Sequence, residues 1–455
     1  MDLLIKNGII VSSEKIYKSD IIINKGIISE ISKNKNGSSF SEIIDAKGKY
    51  IFPGGIDPHV HMNLPTPAGL SSDNFFTGTK AAIYGGTTTI IDFVTPEKGQ
   101  NLIDAFQQRK KEAENSLADY SFHVSPVDFH KGIENEIEEL IRIGITSFKV
   151  YMAYKDSIGL DDDVLIKIMK VIASNNALLT VHAEIGDDID SLKNQFAEEG
   201  KLSPEYHALS RPNFTEAEAV KKLINFSQQT GCKVYIVHVS TKESVALIKE
   251  AQKKGLNIFA ETCPQYLLLN DSKLKGAFVN SAAYVFSPPL RKNEDRSALI
   301  QGLRNGILQT TGTDHCPFSF EQKKIGEIDF RKIPNGAGGV EHRMTLLYTY
   351  GVVPEIIDLN LFVKITSSNA AKIFGIYPQK GEIEVGSDAD LIIWNTEVNE
   401  DISAVNHHQN CDLNIYEGMT IKGKPESVIK NGKIILHKNV LYLENIKSYF
   451  LKRTL

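Results

Sequence analysis

Two histidines, His59 and His61, occur in the segment Gly54-Gly-Ile-Asp-Pro-His-Val-His61 and have the spacing of a metal-binding pair. In a β-strand, residues i and i+2 point to the same face, so the two imidazoles can bind one cation. Burying such groups in an apolar strand is costly unless they are paired or bind a metal. Four further ionisable residues lie near the ends of apolar, β-rich segments: Lys149, His182, His238 and Asp314. Together the six predict a metal site.

Lys149 differs from the others because an ammonium group has no lone pair and cannot bind a metal. If its nitrogen reacts with CO₂, the resulting carbamate (N6-carboxylysine) has two oxygens that can bridge cations about 3.5–4 Å apart. In this interpretation Asp314 joins the first histidine pair on one metal, and His182 and His238 hold the other. Alternatively, a lysine in a strand buries its methylene chain and either extends its ammonium to solvent or pairs it with a carboxylate.

Eight apolar segments that alternate with helical patterns must bring these residues together. Strand–helix alternation implies a parallel sheet, and eight such units fit a (β/α)₈ TIM-type barrel of ~250 residues. Catalytic residues of such barrels lie at the carboxyl ends of the strands. A doubly wound open sheet is the alternative, although no Gly-x-Gly-x-x-Gly follows the first strand. The predicted strands are 56–61, 87–94, 121–127, 146–152, 178–184, 233–240, 257–263 and 308–315.

Both chain ends contain short apolar segments joined by glycine turns, such as Ile5-Lys-Asn-Gly-Ile-Ile10 and Ile429-Lys-Asn-Gly-Lys-Ile-Ile435. Glycine supplies the positive φ of a hairpin turn. We therefore expect a smaller β-sandwich domain built from residues 1–52 and 376–455, with a C-terminal extension. The barrel then spans residues 53–375.

The overall composition limits the kinds of binding partner that we expect. The chain has 455 residues and a net charge of −5, which gives no reason to expect nucleic acid or an anionic membrane as partner. We expect no signal peptide and no membrane span, because the start has no basic region and no apolar run is long enough. Four scattered cysteines without a CxxC pattern are expected to be free thiols in a cytoplasmic protein.

Ten stretches in order along nearly the whole chain resemble the hydantoinase/dihydropyrimidinase group of the cyclic amidohydrolases. They are Gly54-Gly-Ile-Asp-Pro-His-Val-His61, Phe75-Phe-Thr-Gly-Thr-Lys-Ala-Ala82, Gly85-Gly-Thr-Thr-Thr-Ile-Ile-Asp-Phe93, Ser147-Phe-Lys-Val-Tyr-Met-Ala-Tyr154, Val181-His-Ala-Glu184, Glu261-Thr-Cys-Pro-Gln-Tyr266, Ser287-Pro-Pro-Leu-Arg291, Gly312-Thr-Asp-His-Cys-Pro-Phe318, Ile333-Pro-Asn-Gly336 and Tyr416-Glu-Gly418.

The resemblance implies a barrel with two zinc ions, a carboxylated Lys149 and a homotetramer, or a homodimer. It also implies that Tyr154 stabilises the oxyanion and that Ser287 and Asn335 bind the ring imide, largely through backbone groups. The expected reaction opens a neutral cyclic ureide, a hydantoin or a dihydropyrimidine, to an N-carbamoyl amino acid. In this reaction Asp314 carries the proton.

The second residue after the histidine pair bears on the substrate. Dihydroorotase-like relatives have His-x-His-x-Arg, in which the arginine holds a carboxylate, whereas this chain has Asn63 there. The first arginine in the chain is Arg109. A dihydroorotase-type or allantoinase activity is the alternative. The segments 62–70 and 154–160 are expected to act as substrate gates, since loops set substrate choice on barrels.

A non-enzymatic function is the remaining alternative. Assembly proteins related to dihydropyrimidinase share the fold but have lost metal ligands. This chain keeps all six predicted metal-site residues and also Tyr154. The sequence therefore favours an enzyme.

Overall fold

The computed structural model describes residues 3–33, 35 and 40–455. Eight parallel strands form a nearly closed barrel in chain order. A parallel bridge between Val60 and His315 joins the last segment to the first, and the amide of His61 donates to the carbonyl of His315 at 2.8 Å. The barrel is confirmed and the open sheet is excluded. The barrel strands are Gly55–Val60, Thr87–Val94, Asp119–Val124, Ser147–Tyr151, Leu178–His182, Lys233–Ile236, Ile258–Thr262 and Thr310–Thr311.

Helices pack around the barrel through apolar stripes. In Ile133–Arg142, for example, Ile133, Ile137 and Leu140 are buried at helical spacing, while Glu134, Glu138 and Glu139 are exposed. The other α-helices are Phe75–Tyr84, Leu102–Glu112, Asp162–Ser174, Gly186–Glu198, Glu205–Leu209, Asn213–Thr230, Lys242–Lys253, Pro264–Leu268, Phe278–Ser281, Asn293–Arg304, Phe320–Lys324, Arg343–Leu347, Leu359–Val363 and Asn369–Ile373. Among the described residues, none of the helices combines the length and the apolar character that crossing a bilayer requires.

Strands from both chain ends form a second, nine-stranded sheet. The two ends meet where Tyr50–Pro53 pairs in antiparallel fashion with Leu391–Asp401. An isoleucine-rich core, separate from that of the barrel, lies against this sheet. The expected β domain is therefore present as one hydrogen-bonded sheet. Its other strands are Leu3–Val11, Ile16–Asn24, Ile27–Ser32, Glu42–Asp45, Thr420–Lys430, Lys433–His437 and Val440–Leu441.

A buried ion cluster joins the two sheets. Asp119, at the start of the third barrel strand, lies 2.7 Å from Nζ of Lys380 and 2.6 Å from Nζ of Lys430. Its Oδ1 also accepts the backbone N–H of Tyr449 at 2.9 Å, in the C-terminal segment. One carboxylate thus holds the barrel, the terminal sheet and the chain end together.

The sixth and eighth barrel strands end earlier than the sequence predicts, at Ile236 and Thr311. His238, two residues beyond the sixth strand, and Asp314, three residues beyond the eighth, have φ angles of 41° and 55°. Such left-handed conformations are uncommon for residues other than glycine and occur often at functional sites. The chain leaves both strands in sharp turns at residues of the predicted metal site.

Candidate active site

His59, His61 and Asp314 converge at the carboxyl end of the barrel. Nε2 of each histidine lies 3.1 Å from Oδ1 of Asp314, and the donor atoms of all three residues lie within 4.8 Å of one another. The turn after the last strand is fixed by a hydrogen bond from the Asp314 amide to the His59 carbonyl, at 2.9 Å. Two imidazoles and a carboxylate are ligands that zinc accepts, so this donor set fits a divalent metal.

The electrostatics of this group favour a deprotonated carboxylate. Burial alone would raise the pKa of Asp314, but the neighbouring His59 and His61 lower it well below its usual value. Burial alone would lower the pKa of His59, whereas the carboxylates of Glu261 and Asp314 raise it to about 9. The site concentrates negative charge that a cation can neutralise.

His182 and His238 form a second group beside the first. Nδ1 of His182 lies 2.9 Å from Nε2 of His238. The ring centroids of His238 and His59 are 5.4 Å apart, so the two groups are adjacent. The structure thus brings together the four histidines and the aspartate that the sequence singles out.

Lys149 lies in the middle of the fourth barrel strand, fully buried, and lines the same cavity. Its Nζ lies 5.0 Å from the ring centroids of both Phe93 and Tyr151. Within the described residues it makes no ion pair, which argues against the alternative of a paired strand lysine. Burial lowers the pKa of Lys149 to about 7, so the neutral amine that reacts with CO₂ is accessible near neutral pH.

The site opens into a cavity of about 1770 Å³ that Tyr154, Ser287 and Asn335 also line. Oγ of Ser287 lies 3.2 Å from Oδ1 of Asn335, so the two expected ring-binding residues are in contact. The ring of Tyr154 lies 5.3 Å from that of His182. Burial raises the pKa of Tyr154, which keeps its hydroxyl protonated and able to donate.

Comparison with known proteins places the chain among the amidohydrolases. The sequence model described as "Amidohydrolase family" matches residues 50–435. The chain belongs to the amidohydrolase family. It is 44% identical to the D-hydantoinase of Geobacillus stearothermophilus, over 96% of this chain and 93% of that protein. It is 40% identical to the D-hydantoinase of Ralstonia pickettii, over 100% and 99%.

The fold comparison agrees with the sequence comparison. The crystal structure of dihydropyrimidinase from Brevibacillus agri superimposes with a TM-score of 0.97 at 42% identity, covering 99% of this chain and 98% of that one. The resemblance to the hydantoinase/dihydropyrimidinase group is therefore confirmed. These relatives support a cyclic amidohydrolase activity and count against a non-catalytic assembly protein.

Two glutamates that sequence reasoning missed orient the histidines of this amidohydrolase. Glu261, on the seventh strand, contacts Nδ1 of His59 and accepts the hydroxyl of Tyr235 at 2.8 Å. Glu184 lies 2.8 Å from Nε2 of His182, which leaves Nδ1 of that ring for the cavity. Carboxylates behind metal-binding histidines fix the ring orientation and raise ligand basicity. The i, i+2 spacing of His and Glu in Val181-His-Ala-Glu184 could have indicated the second one.

The structure shows how the arginine expected to hold a substrate carboxylate in dihydroorotase-like relatives compares with an arginine found at this cavity. Arg109, the first arginine of the chain, does line the cavity, but its guanidinium lies 2.6 Å from both Asp92 and Glu112 and also donates to the carbonyl of Met62. Asn63 lines the cavity as expected and has a φ of 51°. No unpaired guanidinium of the described chain stands at this wall to receive a substrate carboxylate.

Proposed function

We propose that this amidohydrolase hydrolyses the cyclic amide bond of neutral cyclic ureides, hydantoins or dihydropyrimidines, to N-carbamoyl amino acids. The observation that carries the proposal is the convergence of the His59, His61 and Asp314 donor atoms beside the His182–His238 contact. The naming of its relatives as hydantoinases and dihydropyrimidinase supports the same substrate class.

We infer that two zinc ions are the cofactor. His59, His61 and Asp314 would hold one, His182 and His238 the other, and carboxylated Lys149 would bridge them. Bound zinc would supply a nucleophilic hydroxide near neutral pH and would polarise the ring carbonyl.

Side chains that line the cavity would perform the proton transfer, the oxyanion stabilisation and the ring binding. The neighbouring histidines hold the pKa of Asp314 well below its usual value, so its carboxylate is deprotonated. This carboxylate would take the proton of the attacking water and deliver it to the leaving ring nitrogen. The protonated hydroxyl of Tyr154 can donate to the oxyanion that develops on the ring carbonyl. Ser287 and Asn335, in contact on one wall, would bind the opposite imide edge of the ring.

The cavity favours a neutral ring. Each of the three arginines that line it is already ion-paired: Arg109 with Asp92, Arg211 with Glu184 and Arg331 with Asp329. A ring carboxylate that bound one of these arginines would compete with the carboxylate already paired with it. The apolar side chains of Leu64 and Pro65 on the segment 62–70 are consistent with an uncharged ring substituent.

A ring-opening panel tests the proposal. Protein loaded with zinc and bicarbonate is offered dihydrouracil, hydantoin, phenylhydantoin, allantoin and dihydroorotate, and loss of ultraviolet absorbance is followed with mass identification of products. We expect turnover of the first three to N-carbamoyl products. Turnover of only allantoin or dihydroorotate would overturn the substrate class.

The oligomeric state, the cellular location and the partners of the protein are also proposals. We expect a homotetramer, or a homodimer, in solution, which light scattering on the purified protein measures. We further expect a cytoplasmic protein whose partner is the small-molecule substrate, without nucleic acid or membrane.

A further inference from the structure

Lys323 is a buried lysine that the chemistry described above does not use. It lies in the helix Phe320–Lys324, only 1% exposed, directly before the exposed Lys324. Its Nζ makes three hydrogen bonds, all to backbone carbonyls: 2.9 Å to Val285, 2.7 Å to Pro334 and 2.8 Å to Gly336. An ammonium has three donors, so the group is saturated without any carboxylate.

The three carbonyls belong to the two segments that carry the expected ring-binding residues. Val285 precedes Ser287 by two positions, and Pro334 and Gly336 flank Asn335. The amide of Gly336 also donates to the carbonyl of Val285 at 3.1 Å, so the segments already touch at one point. Lys323 links the same two segments a second time, through its three hydrogen bonds.

One of these hydrogen bonds acts on the peptide unit that carries the amide of Asn335, an expected ring-binding residue. The carbonyl of Pro334 and the amide N–H of Asn335 belong to the same planar peptide group. A hydrogen bond to the carbonyl therefore fixes the direction of the N–H. It also polarises the peptide, because hydrogen bonds in series strengthen one another.

We propose that Lys323 is a positioning residue for substrate, whose ammonium sets the backbone of the Ser287 and Asn335 segments to match the imide edge of the ring. The proposal rests on the function proposed above. Lys323 contacts none of the metal-site residues, and its absence should leave metal binding, Asp314 and Tyr154 in place. The cost should therefore fall on substrate affinity rather than on turnover at saturation.

Two variants and one matched control test this. Lys323→Met removes all three donors at similar volume, Lys323→Gln keeps a polar head with two donors, and Lys324→Met changes the exposed neighbour on the same helix. We expect Lys323→Met to raise KM for dihydrouracil and lower kcat/KM by about 10- to 100-fold, since a misplacement of 1 Å can cost about 100-fold. The kcat should stay within about threefold, with wild-type zinc content and partial rescue in Lys323→Gln. A merely structural role would lower the active fraction, so kcat would fall while KM stayed constant.

Hydrogen–deuterium exchange separates this inference from the proposed function. Amide exchange in segments 284–288 and 333–337 should rise in both Lys323 variants and stay at the wild-type level in Lys324→Met, whether or not a substrate is known. If wild-type protein opens no ring, the proposed function fails. Unchanged exchange, a KM within about twofold of wild type, or failure of both Lys323 variants to fold while Lys324→Met folds would overturn the positioning role.

Discussion

Nδ1 of His182 lies 2.9 Å from Nε2 of His238, although 56 positions separate the two residues in the chain. The contact to Glu184 occupies the other nitrogen of His182, so the facing atoms are the ones available to a cation. Burial lowers the pKa of both histidines, which keeps them in the neutral form that binds metals. The two facing nitrogens are the atoms that would hold the second proposed metal ion.

Removing one member of this pair should empty one of the two proposed metal positions. We expect His238→Ala to bind about one zinc per chain and to lose at least about 1000-fold in kcat, or some 4 kcal/mol of transition-state stabilisation. Metal analysis and turnover on the same sample measure both. His437→Ala, which breaks only a contact to Ser427 in the terminal sheet, is the control. Two zinc ions and full turnover in His238→Ala would contradict the assignment.

Glu184 should act through His182 rather than on the substrate. In Glu184→Gln, the amide can present its nitrogen to His182 and leave Arg211 without its carboxylate. We expect zinc affinity to fall by about 10- to 100-fold, as for other carboxylates behind metal-binding histidines. Competition with a chelator measures this, and Glu198→Gln, on the exposed end of a neighbouring helix, should match wild type. Equal zinc affinities in the two variants would contradict the proposal that Glu184 supports metal binding through His182.

Tyr154→Phe should separate oxyanion stabilisation from metal binding. Loss of one preorganised donor costs about 2.7–4 kcal/mol, so kcat should fall by about 100- to 1000-fold. Zinc content should stay at the wild-type level, because the hydroxyl is not among the metal-site groups. Tyr377→Phe, at an exposed tyrosine away from the cavity, serves as control. Full turnover in a zinc-loaded Tyr154→Phe enzyme would exclude this role.

Asp119 predicts how stability depends on pH. Burial would raise its pKa, but the ammonium groups of Lys380 and Lys430 lower it below the ordinary value of 3.8. A depressed carboxyl pKa stabilises the fold above the ordinary pKa, and this stabilisation is lost as the pH falls through the folded-state pKa. Asp119→Asn should cost about 3–5 kcal/mol at pH 7, because Lys430 is left buried and unpaired.

Thermal unfolding at several pH values measures the effect. The difference in Tm between wild type and Asp119→Asn should be largest near pH 7 and shrink below about pH 4. Asp163→Asn, which loses only an exposed contact to Lys167, should shift Tm little at any pH. A difference that grows as the pH falls would contradict the sign of this argument.

The barrel could be predicted, and the residues of the proposed metal site could be singled out, because parallel strands are buried on both faces. Such strands appear as apolar runs, and ionisable residues within them, such as His61 and Lys149, stand out. The strand period also places His59 and His61 on one face without any structure. The pairing of distant strands then brings Asp314 to the pair.

The features that could not be predicted from the sequence depend on tertiary packing. His238 and Asp314 lie beyond the strands, in turns with left-handed backbone conformations. Neither residue type predicts such a turn. Glu261 is a carboxylate whose partner is 202 positions away. Lys323 and Lys324 are adjacent and identical in type, and only the packing of their short helix makes one buried and the other exposed.

The most direct test of the account is the ratio of kcat/KM for dihydrouracil to that for dihydroorotate, measured on protein with a determined zinc content. We predict about two zinc per chain, turnover that chelation removes and zinc with bicarbonate restores, and a ratio of at least about 100, because the arginines that line the cavity are already ion-paired. A ratio below one, or no hydrolysis of dihydrouracil or hydantoin by protein that holds two zinc ions, would contradict it.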